Sequence, residues 1–112
     1  MIIGLLINFL IGKTGSPEVY AEVPEEAPAE FWTIEQTGSD TANRITTTTV
    51  AIQSWADSML RAAEMNDQIK EAMERLPEIN EVSACRLQSD YNFTNTAKKK
   101  YRYQAVFDIT TH

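Results

Sequence analysis

The chain has one cysteine and one histidine, and each scarcity removes a class of chemistry. Cys85 alone cannot close an internal disulfide, and the residues around it offer no spacing for zinc, so it reads as a reduced, packed thiol. His112 is the last residue of the sequence, where nothing holds it rigidly enough to act as a general base. Nucleophilic catalysis is thereby left without its proton acceptor. Positive charge is also scarce. Ten Lys and Arg stand against sixteen Asp and Glu, for a formal net charge of −6, which argues against a protein that grips a phosphate backbone. Passive contact with DNA stays open, because an acidic wall repels phosphates and lets a duplex slide past. No apolar run reaches the roughly 20 residues of a membrane-spanning helix. Residues 1–11 (MIIGLLINFLI) are almost wholly apolar, but they lack the leading basic residues and the small-residue cleavage site of a secretory signal. They read instead as a short helix burying Ile2, Ile3, Leu5, Leu6, Phe9 and Leu10, with Gly12 and Gly15 as stop signals. No membrane partner is expected.

What is present is a series of strand patterns around one long helix. Residues 16–23 (SPEVYAEV) suggest a short strand that begins at an edge, because Pro17 cannot donate to a ladder. Pro24 ends it, and residues 24–30 (PEEAPAE) form a polar loop carrying Glu25, Glu26 and Glu30. Residues 31–37 (FWTIEQT) read as a second strand, Gly38, Ser39 and Asp40 as a turn, and residues 43–53 (NRITTTTVAIQ) as a third strand rich in β-branched side chains. From Ser54 the period changes. Met59, Ala62, Asn66, Ile69, Met73 and Leu76 recur at steps of three and four, as one face of a helix requires. Ser54 with Asp57 resembles a capping box, Pro77 stops the helix, and Asp57–Arg61 and Glu71–Arg75 have the spacing of ion pairs one turn apart.

Residues 81–91 give a fourth strand and 92–100 a turn into the last one. There the odd positions Tyr101, Tyr103, Ala105, Phe107 and Ile109 alternate with Arg102, Gln104, Val106, Asp108 and Thr110, a period of two. The order α, β, β, β, α, β, β predicts one α+β domain over residues 1–112: a mainly antiparallel β-sheet with one long helix packed across it and a short N-terminal helix.

Several motifs fall short of a chemistry. Gly12, Lys13 and Thr14 resemble the end of a phosphate-binding loop, but Ile7 stands where that loop needs glycine, and the helix precedes the loop. Asn92-Phe93-Thr94 is a glycosylation sequon without a secretory signal. The carboxylates are spread over a helix surface and a loop, not paired in a cleft. Neither a catalytic residue, a cofactor nor a metal is expected. Lys98, Lys99, Lys100 and Arg102 form the one basic cluster. It reads as a solvated turn that discourages edge aggregation, or as a patch that pairs with acidic residues of a neighbouring subunit. Tyr91, Phe93, Tyr101, Tyr103 and Phe107 read as core or subunit-contact residues, since nucleic-acid stacking platforms sit in positive grooves. Tyr101 and Tyr103 join the basic cluster as candidate subunit or tail contacts.

The segments VYAEVP (19–24), FWTIEQTG, RITTTTVAIQSWADS leading into AAEMND, and SDYNFTNTAKKKYRYQAVFDITTH (89–112) give the chain a resemblance to the tail terminator family of long-tailed bacteriophages, small proteins often described as minor tail or head-tail joining proteins. The resemblance implies a structural virion protein that is not an enzyme. It implies a homo-oligomeric ring, usually a hexamer, that caps the head-proximal end of the tail tube, stops its polymerisation and meets the head connector or neck protein. The virion would be its location after synthesis in the host bacterial cytoplasm. On that reading Glu25, Glu26 and Glu30 face a central channel and keep passing DNA from sticking. The N-terminus is more apolar than the family's first helix leads one to expect. Other readings are a different neck component, such as a head-completion or connector protein, and a non-viral small binding module.

Overall fold

A computed structural model describes residues 2–94 and 100–111. It contains α1 (Ile2–Thr14), β1 (Val19–Tyr20), β2 (Phe31–Ala42), β3 (Ile45–Ala56), α2 (Met59–Met73), a 3-10 turn (Leu76–Glu78), β4 (Val82–Asn92) and β5 (Tyr101–Thr111). The fold is α+β, with a five-stranded sheet in the order β1-β2-β3-β5-β4. The short β1 lies parallel to β2, and every other neighbouring pair is antiparallel.

β5 is the strand on which the sheet closes. It pairs with β3 from Tyr101↔Ala56 to Thr111↔Thr46, and with β4 along its other side. Its alternation divides as period two requires: Ala105, Phe107 and Ile109 are buried in the core, with Tyr101 and Tyr103 partly buried against it. α2 crosses that same face and buries Ala62, Met65, Asn66, Ile69, Ala72 and Met73. Leu6 and Leu10 of α1 complete the cluster together with Trp32, Ile34, Val50, Ile52 and Val82. Gly15, at φ +74°, donates its N–H to the Ile11 carbonyl at 3.0 Å and ends α1 in a left-handed cap. Gly12, Lys13 and Thr14 thus belong to the last helical turns: the Thr14 hydroxyl donates to the Leu10 carbonyl and Lys13 pairs with Glu78.

The structure differs from the sequence reading at three boundaries. Gly38, Ser39 and Asp40 do not turn; β2 continues through them to Ala42, and Gly38 stands beside a register shift between Gln36 and Gly38. A glycine inside a strand marks such a bulge as readily as a turn. The reversal falls at Asn43 and Arg44, with φ of 52° and 67°, between the paired residues Ala42 and Ile45. Two consecutive positive φ values are what a two-residue hairpin needs to match the twist of its strands.

The second difference is the helix start. Ser54 is a strand residue, fully buried with Ala56 on the core face, where small side chains let α2 lie close. The N-cap is Ser58, in extended conformation, whose hydroxyl accepts the Arg61 N–H at 3.2 Å. Arg61 then pairs with Glu30 at 2.8 Å, while Asp57 pairs with Lys100 at 3.0 Å, so the expected Asp57–Arg61 bridge is replaced by two longer-range ones. The third difference is β1, cut to two residues paired with Trp32 and Thr33.

The buried Ser54 hydroxyl has no hydrogen-bond partner among the described residues. Replacing Ser58 by alanine is therefore expected to lower stability by about 1 kcal/mol through loss of the cap. Ser54→Ala is expected to be neutral or stabilising, because it removes an uncompensated buried polar group. Urea unfolding of the two variants checks this, and a reversed order would return the cap to Ser54.

A candidate assembly surface on the open face of the sheet

The face of the sheet opposite α2 carries a layer that sequence reading missed. Trp55 Nε1 donates to Thr33 Oγ1 at 3.0 Å, Thr33 Oγ1 donates to Gln53 Oε1 at 2.6 Å, and Gln53 Nε2 donates to Gln104 Oε1 at 2.6 Å. Gln104 Nε2 in turn donates to the Tyr91 hydroxyl. The register explains the chain: Thr33 opposes Gln53, Gln53 opposes Gln104, and Gln104 opposes Tyr91, so one rung runs across β2, β3, β5 and β4. Thr33, Gln53 and Gln104 are all buried. Single polar residues in β-strands give no hint of such a rung; the signal appears only once three registers are known.

Beside the rung lies a stack of rings and cations. Phe31 and Trp55 are parallel, with centroids 5.4 Å apart. The Arg102 guanidinium lies 4.6 Å from the Trp55 centroid and 4.4 Å from that of Phe93, and its Nε donates to the Phe93 carbonyl at 3.0 Å. Burial between the two rings lowers the guanidinium pKa, partly countered by the charge of Glu35. Tyr91 meets Phe93 edge to face at 5.8 Å. A hollow of about 290 Å³ opens next to this stack, lined by Glu22, Val23, Thr33, Gln53, Trp55 and Arg102 among others.

The candidate contact residues are divided by this geometry. Lys98, Lys99 and His112 lie outside the described residues. Lys100 is tied to its own chain: its Nζ donates to the Ala29 carbonyl at 2.9 Å and to Asp57 at 3.0 Å, over the Phe31 ring. Arg102 projects from the open face, whereas Tyr101 and Tyr103 sit on the helix side and pack partly into the core. Glu25 and Glu26 are exposed in the loop, and Glu30 is held by Arg61, whose pKa the hydrogen bond raises. Cys85 is half-buried, and burial, with the nearby Asp108 charge, pushes its thiol up to about 12, which disfavours the nucleophilic thiolate. Among the described residues, no group of three or more His, Cys, Asp or Glu could hold a metal, and no helix is long and apolar enough to cross a membrane. The face thus carries a buried amide rung and a guanidinium clasped between two rings.

No protein-family model matches the sequence, and no curated protein matches it. The fold is shared with a solved chain from the virion of a native gene transfer agent particle, at a TM-score of 0.61 and 13% identity, over 91% of this chain and 83% of that one.

The rung makes a coupled prediction. Gln104→Leu alone leaves the buried Gln53 amide without its acceptor and is expected to cost about 2 kcal/mol. Gln53→Leu combined with Gln104→Leu is expected to recover part of that loss, because the two facing amides are then both apolar while the Thr33 hydroxyl loses its acceptor. A double-mutant cycle in denaturant would show the coupling, and additive losses would mean that the two amides act independently.

Proposed function

We propose that the protein is a structural component of a phage-like virion with no enzymatic role. More specifically, it acts as a tail terminator: a ring of copies, a hexamer by family resemblance, that caps the head-proximal end of the tail tube, ends tube polymerisation and helps join tail to head. The observation that carries this reading is the likeness of fold to a chain of a gene transfer agent virion across 91% of the protein. The resemblance of its segments to tail terminators sharpens it. The molecule supplies suitable means of assembly, namely long strands whose outer edges carry no further strand among the described residues, with exposed charged side chains beside them. Its partners are then further copies of itself, the tail tube protein and a head connector or neck protein, with DNA passing through the channel. A different neck component, with the same symmetry on another surface, is the nearest alternative within the virion.

The hollow beside Trp55 and Arg102 favours one reading from another class, a small binding module that holds a ligand in its monomeric state. Light scattering over a wide concentration range, with and without purified tail tubes and followed by electron microscopy, separates the two. Rings, or a cap on one tube end that halts growth, are the expected result; a monomer that ignores tubes would favour the binding module.

The channel role of the acidic loop is narrower than the sequence alone implied. Glu30 is committed to Arg61, which leaves Glu25 and Glu26 exposed and without an ion pair among the described residues. Replacing both by glutamine is expected to leave ring mass unchanged and to slow DNA release, read as the ejection rate of otherwise intact particles. Unaltered ejection would remove this loop from the channel wall.

A further inference from the structure

The successive antiparallel pairings make β2 and β5 run one way and β3 and β4 the other. The two outermost long strands, β2 and β4, are therefore of opposite direction. Among the described residues, most of each outer edge pairs with no further strand. β1 covers β2 only at Trp32 and Thr33, and all eight residues 35–42 of β2 are exposed. Among the described residues, β4 has β5 on one side and no strand on the other. When copies stand side by side head to tail, strand directions are kept, so β4 of one copy meets β2 of the next antiparallel, the arrangement that lets a sheet continue across a boundary.

Charge selects this pairing over a two-fold one. Arg86 projects on the open face, its side chain 80% exposed, with only a 3.8 Å approach to Asp108, which also accepts the Thr49 hydroxyl. Glu35 and Asp40 oppose Ala51 and Thr47, which share the face of Thr49 by the alternation of β3. The register shift between Gln36 and Gly38 is what brings carboxylates five residues apart onto one face. Neither has an ion pair among the described residues. Pairing β2 with β2 would set these carboxylates against each other, and pairing β4 with β4 would set Arg86 near its own copy. Pairing β4 with β2 sets opposite charges together.

We propose that β4 of one copy pairs antiparallel with residues 35–42 of β2 of the next, with Arg86 facing Asp40 across the seam, so that the sheet runs on from copy to copy. Centring the eight-residue edge on the eleven-residue β4 gives that register and keeps both side chains on the open face. The proposal rests on the ring reading and names the surface by which the ring forms.

The test is a charge exchange together with a cross-link. Arg86→Asp and Asp40→Arg are each expected to raise the concentration for half-assembly by about fivefold or more, and the double exchange to return it to near the native value. Both residues are exposed, and thermal unfolding confirms that each variant is folded. In a second protein Asp40→Cys and Arg86→Cys are combined. Three strand spacings, about 14 Å, separate the two positions within one chain, too far for an internal disulfide. With Cys85→Ser in the background, mild oxidation of the assembled protein is therefore expected to give a ladder of covalent multimers. Rings of native mass in every charge variant, with no ladder, would overturn the edge pairing and leave the ring reading standing. A native protein that stays monomeric at all concentrations and on tubes would overturn both.

Discussion

The pairing of β5 on both sides is the constraint from which the rest of the structure follows. A strand with neighbours on either edge has its backbone groups satisfied along its length, so its two faces are free to serve different purposes. Ala105, Phe107 and Ile109 fix where α2 and α1 must pack. Gln104 and Arg102, pointing the other way, join a polar rung and a cation-aromatic stack. Because β5 sits between β3 and β4, it is interior to the sheet, and the outer positions fall to β4 and to β2 with its short cover β1.

That placement gives the molecule its surfaces. An extended chain with one face on a core and the other carrying buried amides is rigid, and a rigid sheet can present its edges reproducibly to a neighbour. β2 and β4 provide those edges, one with two carboxylates on the open face and the other with an exposed arginine. The loop over Phe31 is tied back by Lys100 and by the Glu30–Arg61 pair, so the aromatic stack is partly roofed by its own chain. Lys100, read from sequence as a candidate contact, is accordingly an internal tether in the free protein.

The candidate surface was only partly legible beforehand. Period-two alternation correctly divided β5 into its two faces, and a three-four period correctly placed Ile69 and Met73 on the buried side of α2. Gly38 misled because a bulge and a turn draw on the same freedom of glycine. Ser54 misled because a serine followed three residues later by an acid looks like a cap wherever it falls, and only the continuing strand shows that Ser58 is the residue at the helix start. Asp57 and Arg61 have the right helical spacing for each other, yet each found a partner brought near by the sheet.

Local rules therefore determined the elements, their order and the buried stripe of each, because those depend on periods of two and 3.6 and on residue chemistry within a few positions. The strand order, the burial of Thr33, Gln53 and Gln104, the clasp of Arg102 between Trp55 and Phe93, and the opposite directions of the two free edges were decided by tertiary structure. Each depends on register between segments far apart in the chain. Shifting a strand by one residue would exchange its two faces, and nothing in a single strand's own sequence states which partner residue it will oppose.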